Sequence, residues 1–323
     1  MARPCALVTA PLRGAALDEL REVADVVLDP WLDHQPIQLY GPDALADRVK
    51  ELGATILVCE ADSCSGPVID LPLLVIGSTR GDPTNVDLEA ATAAGIPVIH
   101  TPGRNADAVA EMTVALLMAV GRFVVPGHRD MVNGTVFGET LPYQRYRAWQ
   151  VAGRTAGLVG LGAVGRATRW RLEGLGMEVI ATDPYASDAR YDLDALLAES
   201  NVVSMHASVT PETFGLMNAA KFGLMKPGAL YINSARAGLH DIDALVDALQ
   251  SGHLAGAALD HVDGESLPAD HPLLQMDNVV LTPHIGGATY DVEIRQTEMI
   301  VADIKAVLAG DRPAHCANPE VFK

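Results

Sequence analysis

Three polar side chains suited to chemistry stand just beyond apolar runs of the chain. They are Arg236 after Asn233-Ser234-Ala235, Glu265 shortly after Asp260, and His284 after Pro283. In an open α/β sheet, ligands bind beyond the carboxyl ends of the strands, where such residues would gather. An arginine, a carboxylate and an imidazole together suit hydride transfer on a 2-keto acid. Arg236 can grip a substrate carboxylate through its planar fork and polarise the neighbouring carbonyl. His284 can give a proton to the carbonyl oxygen or take it back. Glu265 would orient the ring and favour its protonated form. Taken singly, each has a plainer reading: a surface ion-pair partner, a satisfied loop histidine, and a solvated carboxylate in an acidic loop with Asp263 and Asp270. Joint placement on successive strand ends is what separates the set from those readings.

A second constellation lies upstream, where Gly160-x-Gly162-x-x-Gly165 follows an apolar run at 155–159 and opens a helical stretch. A further apolar run, 178–182, ends in Asp183, eighteen residues after Gly165. This is the context a dinucleotide loop needs. Gly160 permits a tight turn, Gly162 lets the backbone approach a pyrophosphate, and Gly165 lets helix and strand pack closely. The amides of Ala163 and Val164 open the helix and present N–H groups to phosphate. Asp183 would accept hydrogen bonds from ribose hydroxyls and repel a 2′-phosphate. Pro184 and Tyr185 follow it with no adjacent Arg or Lys, so NAD is favoured over NADP.

The elements that position these residues can be read from periodicity. Strand-like runs at 6–9, 54–59, 73–76, 155–159, 178–182, 202–205, 229–232 and 279–281 alternate with helical stretches at 87–94, 165–175 and 242–250. Continuous apolar strands between helices predict parallel sheets covered on both faces. A domain boundary is expected at Thr101-Pro102-Gly103, followed by a long helix at 106–120. The segment 125–147, rich in Pro and Gly, reads as irregular. A second hinge is expected at Gly286-Gly287, and a last helix at 291–308 would end at Gly310 and return the chain to the first domain. The expected domains are therefore 1–102 with 287–323, and 103–286.

Composition narrows the partners. With 323 residues, 49% of them hydrophobic, the chain has material for two cores. A net charge of −18 opposes nucleic acid, whose phosphates call for a basic face. No apolar run reaches membrane-span length, and the amino terminus lacks a signal-peptide pattern, so no membrane partner and a cytoplasmic location are expected. Cys5, Cys59, Cys64 and Cys316 show no CxxC spacing; they read as reduced thiols, and no metal is expected.

Several ordered motifs over residues 54–318 resemble the D-isomer-specific 2-hydroxyacid dehydrogenase family, especially its phosphoglycerate dehydrogenase-like branch. They are Asn85-Val86-Asp87, Gly95-Ile96-Pro97, Ala108-Val109-Ala110-Glu111, the Gly160–Gly165 loop, Asn233–Arg236, Gly256–Asp260 and Leu281–Thr289. The resemblance implies a Rossmann NAD domain inserted in a flavodoxin-like substrate domain, both doubly wound, and a homodimer that closes over its substrate. It implies Arg236, Glu265 and His284 as the catalytic trio. Asp260, Ser234 and Ala235 would lie by the nicotinamide, and His206 with Ala207 by the adenosine. Arg80, Gly81 and Asp82 would stand in the loop that binds the substrate carboxylate, with Asn105 nearby. The chain departs from the pattern at Ala207, Ala237, His261-Val262 and Ser266, and above all at Asp82, whose charge would repel an acid unless Arg80 pairs with it.

The expected activity is NAD-dependent interconversion of a D-2-hydroxy acid and its 2-keto acid. The alternatives are a glyoxylate or hydroxypyruvate reductase and a non-enzymatic NAD(H)-sensing protein on the same fold. Formate dehydrogenase, which resembles the family, usually pairs its histidine with Gln, whereas Glu265 stands here.

Overall fold

Strands buried on both faces cannot alternate polar and apolar residues, and the central strands of this chain do not. In the computed structural model, which describes residues 3–138 and 140–322, Ile56–Cys59 and Val202–Met205 are buried at every position. Five strands form the first sheet: β1 (Cys5–Val8), β2 (Asp25–Leu28), β3 (Ile56–Cys59), β4 (Val75–Ser78) and β5 (Val98–Ile99). Their order is β2-β1-β3-β4-β5, all parallel, the flavodoxin-like arrangement. One face packs Leu45 and Val49 of the helix Pro42–Leu52 against Leu7, Leu57 and Ile76. The other is covered by the helix Tyr290–Ala309, whose Ile300, Val301 and Ile304 meet Val8, Val58 and Val75. The last helix therefore completes the core that the first hundred residues begin, and the first compact unit comprises residues 1–104 and 289–323.

The second unit, residues 105–288, holds β6 (Thr155–Val159), β7 (Glu178–Thr182), β8 (Val202–Met205), β9 (Ala229–Asn233), β10 (Leu254–Leu259) and β11 (Val279–Leu281). All are parallel in the order β11-β10-β9-β8-β6-β7. Chain direction across the sheet reverses at β6, which pairs with β7 on one side and β8 on the other, so the ligand crevice of such a sheet opens beside its carboxyl end. Tyr231 of β9, fully buried, sets its ring edge-on to Phe222 at 5.1 Å. The helix Ala106–Gly121 supplies Leu116, Leu117 and Val120 to the opposite face. No single helix among the described residues is long and apolar enough to cross a membrane.

Four expected strands and the helix Ile242–Gln250 are found at the bounds read from sequence. The segment 125–147 is corrected: it contains the helices Val124–Asn133 and Pro142–Arg145. Pro126 lies in the first turn, where no backbone N–H is needed, and Gly134 is a left-handed cap. These residues bound a helix that their types had argued against.

Candidate active site

Backbone closeness shapes the glycine loop beyond β6. Gly160 has φ +98°, and a Cβ on it would lie 2.6 Å from the Ala207 nitrogen. A Cβ on Gly165 would lie 2.3 Å from the Gly160 carbonyl oxygen, so the helix Ala163–Gly174 approaches the loop closely only with glycine there. Beside Gly162, its N-cap residue, the space is open. The first-turn amides of Ala163, Val164 and Gly165 have no earlier turn to donate to, which leaves an anion cradle.

Asp183, just past β7, ties this loop down. Its Oδ2 accepts from the Leu161 amide (2.7 Å) and its Oδ1 from the Tyr185 amide (2.8 Å). An open recess of about 610 Å³ follows, lined by Asp183, Tyr185, Ser187 and Arg190 among others. Arg190 is a residue the sequence reading missed: an antiparallel bridge to Thr182 brings it into the recess seven positions after Asp183. His206, past β8, meets Ser204 Oγ through Nε2 (2.9 Å), while its buried Nδ1 has no partner among the described residues. Burial pushes its pKa down to about 4, so the ring is a neutral group against the glycine loop. Open space at Gly162, free amides and a carboxylate at the second strand end fit a dinucleotide.

At the end of β9, Asn233 folds the turn that carries Arg236. Its Oδ1 accepts from the Ala235 amide (3.0 Å), and its Nδ2 donates to the Arg236 carbonyl (2.8 Å) and to His240 Nδ1 (2.9 Å). Ser234 Oγ shares a 2.7 Å hydrogen bond with Thr113 Oγ1. Arg236 itself is exposed, and its Nη1 donates to the Ala235 carbonyl (2.7 Å).

Asp260, buried at the end of β10, accepts from Thr282 Oγ1 (2.6 Å), the Ile285 amide (3.0 Å) and the Gly286 amide (2.7 Å). Any nicotinamide contact would have to share those oxygens. The carboxylate thereby pins the loop that presents His284. His284 (φ +53°) and Glu265 (φ +59°) both occupy the left-handed region, as does one other described non-glycine residue, Phe123. Such a conformation costs on the order of 1 kcal/mol per residue and persists where the surroundings impose it. The two strained residues meet: His284 Nδ1 lies 3.0 Å from Glu265 Oε1.

A fourth side chain joins the trio. His261, noted in the sequence only as a departure, is 6% exposed, and its ring centroid lies 3.5 Å from that of His284. Its Nε2 is 3.4 Å from Arg236 Nη1 and its Nδ1 is 3.6 Å from Glu265 Oε1. Burial, aided by His284 and Arg236, pushes its pKa down to about 4. No spacing rule marks a residue two places past a strand as pointing inward. His261, Glu265 and His284 also bring three ligand-type atoms within 4.8 Å of one another.

The residues expected at the substrate carboxylate fall in both units. Arg80, beyond β4 in the first unit, donates to Thr84 Oγ1 (2.8 Å). Asp82 is exposed, and among the described residues no ion pair joins it to Arg80, so the expected pairing is not made. The Gly81 carbonyl meets His100 Nδ1 at 2.8 Å. Asn105 precedes the helix Ala106–Gly121 in the second unit, with Nδ2 3.3 Å from where a Cβ on Gly287 would stand.

The chain is similar to known proteins over its whole length. The family model for the NAD binding domain of D-isomer specific 2-hydroxyacid dehydrogenases matches residues 114–286. A glyoxylate reductase of Thermofilum pendens is 37% identical over all of this chain and 97% of its own length. A D-3-phosphoglycerate dehydrogenase of Archaeoglobus fulgidus is 36% identical over 74% of this chain but 46% of its own. The crystal structure of the TT0316 protein from Thermus thermophilus superposes with a TM-score of 0.83 at 39% identity, covering 97% of this chain and 99% of that one. The chain belongs to the D-isomer specific 2-hydroxyacid dehydrogenase family and is an NAD-dependent oxidoreductase of that family.

Proposed function

We propose that Arg236, Glu265 and His284 are the residues of hydride transfer to a small, unphosphorylated 2-keto acid, of the glyoxylate or hydroxypyruvate kind. The observation that carries the role assignment is the 3.0 Å pairing of His284 Nδ1 with Glu265 Oε1, made by two residues held in a costly backbone conformation. With Nδ1 donating to the carboxylate, Nε2 is the ring nitrogen left to pass a proton to the substrate oxygen, or to receive it in oxidation. Arg236, exposed at its turn, takes the substrate carboxylate through two parallel N–H bonds. When bound, the cofactor would supply the redox chemistry: its reduced form would give the hydride in keto-acid reduction, and its oxidised form would take it in hydroxy-acid oxidation. The glycine loop and Asp183 hold its pyrophosphate and adenosine ribose, with Ser234, Ala235 and Asp260 toward the nicotinamide.

Charge supports a small substrate. Arg80, the basic residue of the loop assigned to the carboxylate, is engaged by Thr84, and Asp82 beside it is an exposed anion. Neither favours a second, phosphate anion. The whole-length similarity to a glyoxylate reductase points the same way. A homodimer and a cytoplasmic location belong to this reading; light scattering and cell fractionation check them.

The test follows NADH absorbance with a panel of 2-keto acids, phosphorylated and not. Turnover is expected, best with the small unphosphorylated acids. Arg236→Lys should raise KM for the acid while leaving NADH affinity unchanged, because an ammonium cannot reproduce the guanidinium fork. Tight NADH binding with no turnover on any acid would make the chain a sensor and overturn the reading.

A further inference from the structure

His261 touches every member of the trio and has no part in the scheme above. Arg236 is always protonated and can only donate, so the 3.4 Å contact from its Nη1 makes His261 Nε2 an acceptor. The single proton of the neutral ring is then on Nδ1, which faces Glu265 Oε1 at 3.6 Å. That oxygen is the same one that His284 Nδ1 meets at 3.0 Å. The two imidazoles lie nearly against each other, with centroids 3.5 Å apart and planes inclined by 47°. The charged and titratable groups facing His261 are Arg236, Asp260, Glu265 and His284. The tautomer argues against a cation site, although three ligand-type atoms gather here: Nδ1 carries a hydrogen where a metal would need its lone pair, and the guanidinium adds like charge.

We propose that His261 is a positioning residue that anchors the Arg236 guanidinium and divides the negative charge of Glu265 with His284. The inference rests on the hydride-transfer reading of this site. A neutral His261 is what the arrangement needs, since a third positive charge would oppose both Arg236 and a protonated His284. Burial keeps it neutral down to about pH 4.

Two consequences have separate signs. Losing the anchor frees Arg236, so KM for the keto acid rises. Losing the Nδ1–H leaves Glu265 wholly to His284, so the protonated imidazole persists to higher pH and the alkaline limb of keto-acid reduction moves up. A side chain that merely fills space would move neither.

The experiment compares His261→Leu and His261→Asn with the parent, using the full chain with NADH. The Leu variant should raise KM about tenfold, the size of one charge-assisted hydrogen bond, with NADH affinity unchanged. It should also move the alkaline limb to higher pH. The Asn variant, which can still accept from Arg236, should recover most of the KM. Nitrogen-15 NMR of the parent should show His261 as the neutral Nδ1–H tautomer between pH 8 and 5, a readout that needs neither turnover nor a folded variant. An Nε2–H tautomer, or a folded Leu variant with parental KM and limb, would overturn the inference. A parent without turnover on any 2-keto acid would overturn the functional reading instead, whatever the tautomer.

Discussion

The loops at 282–286 and 79–82 both follow a strand of a parallel sheet, and they are held in opposite ways. In the first, a buried carboxylate, Asp260, accepts from one hydroxyl and two amides and fixes His284 at φ +53°. In the second, the carboxylate is Asp82, which is exposed, and the loop is held by Arg80 to Thr84, by His100 on the Gly81 carbonyl and by the Thr101 amide on the Arg80 carbonyl (2.9 Å). A buried acid spent on backbone donors gives a rigid loop able to hold a strained residue. An exposed acid leaves a loop whose charge acts through solvent. On the proposed reading, reaction geometry belongs to the first kind of loop and discrimination among substrates to the second.

Exchanging the two acids for neutral residues breaks the comparison most sharply. Asp260→Ala leaves two amides and a hydroxyl without their acceptor and should cost roughly 2–4 kcal/mol of stability. Turnover should fall at least about a hundredfold, since small misplacements of a catalytic group have effects of that size. Asp82→Asn should leave stability within about 0.5 kcal/mol and lower KM for acids a few-fold at low salt. Calorimetry and steady-state kinetics on both variants check this; equal effects from the two would abolish the distinction.

Acid should separate the units next. His206, His240 and His261 all lie in the second unit, and burial pushes each from 6.5 to about 4. They are neutral when folded and take up protons when unfolded, so the stability they support is present above about pH 6.5 and is lost as pH falls toward about 4. Hydrogen exchange at pH 7.5 and 5 should show protection falling more in residues 105–288 than in the first unit.

The smallest effect expected is in cofactor choice. NAD should bind more tightly than NADP, and Asp183→Ser, which keeps an acceptor for the Leu161 amide, should narrow the gap roughly tenfold. Arg190 lines the same recess, where its charge would attract a 2′-phosphate, so adding Arg190→Ala should reverse the gain. Calorimetry with both cofactors decides it.

What was legible in the sequence follows the same divide. The strands are written in apolar runs and the glycine loop in the spacing Gly160-x-Gly162-x-x-Gly165 between a strand and a helix, and both are local facts. Arg236 and His284 are legible at strand ends because each stands a few residues past an apolar run, and Glu265 because Asp260 before it marks another. His261 was not legible as a site residue, because its inward direction depends on how β10 and β11 sit side by side. Arg190 is not legible either, because its place depends on the chain folding back on Thr182. The helix Val124–Asn133 is not legible because Pro126 and Gly134 look like breakers, when one occupies a first turn and the other a cap.

On the proposed reading, Glu265, whose Oε1 lies 3.0 Å from His284 Nδ1, assists proton transfer at that ring. The most direct measurement is the pH profile of keto-acid reduction and of hydroxy-acid oxidation for the parent and Glu265→Gln. Removing the carboxylate charge makes the protonated imidazole harder to hold. The alkaline limb of reduction should therefore move to lower pH, and the acidic limb of oxidation should move to lower pH with it. Limbs that stay in place in both directions would show Glu265 to be a solvated carboxylate beside His284, and would contradict the account.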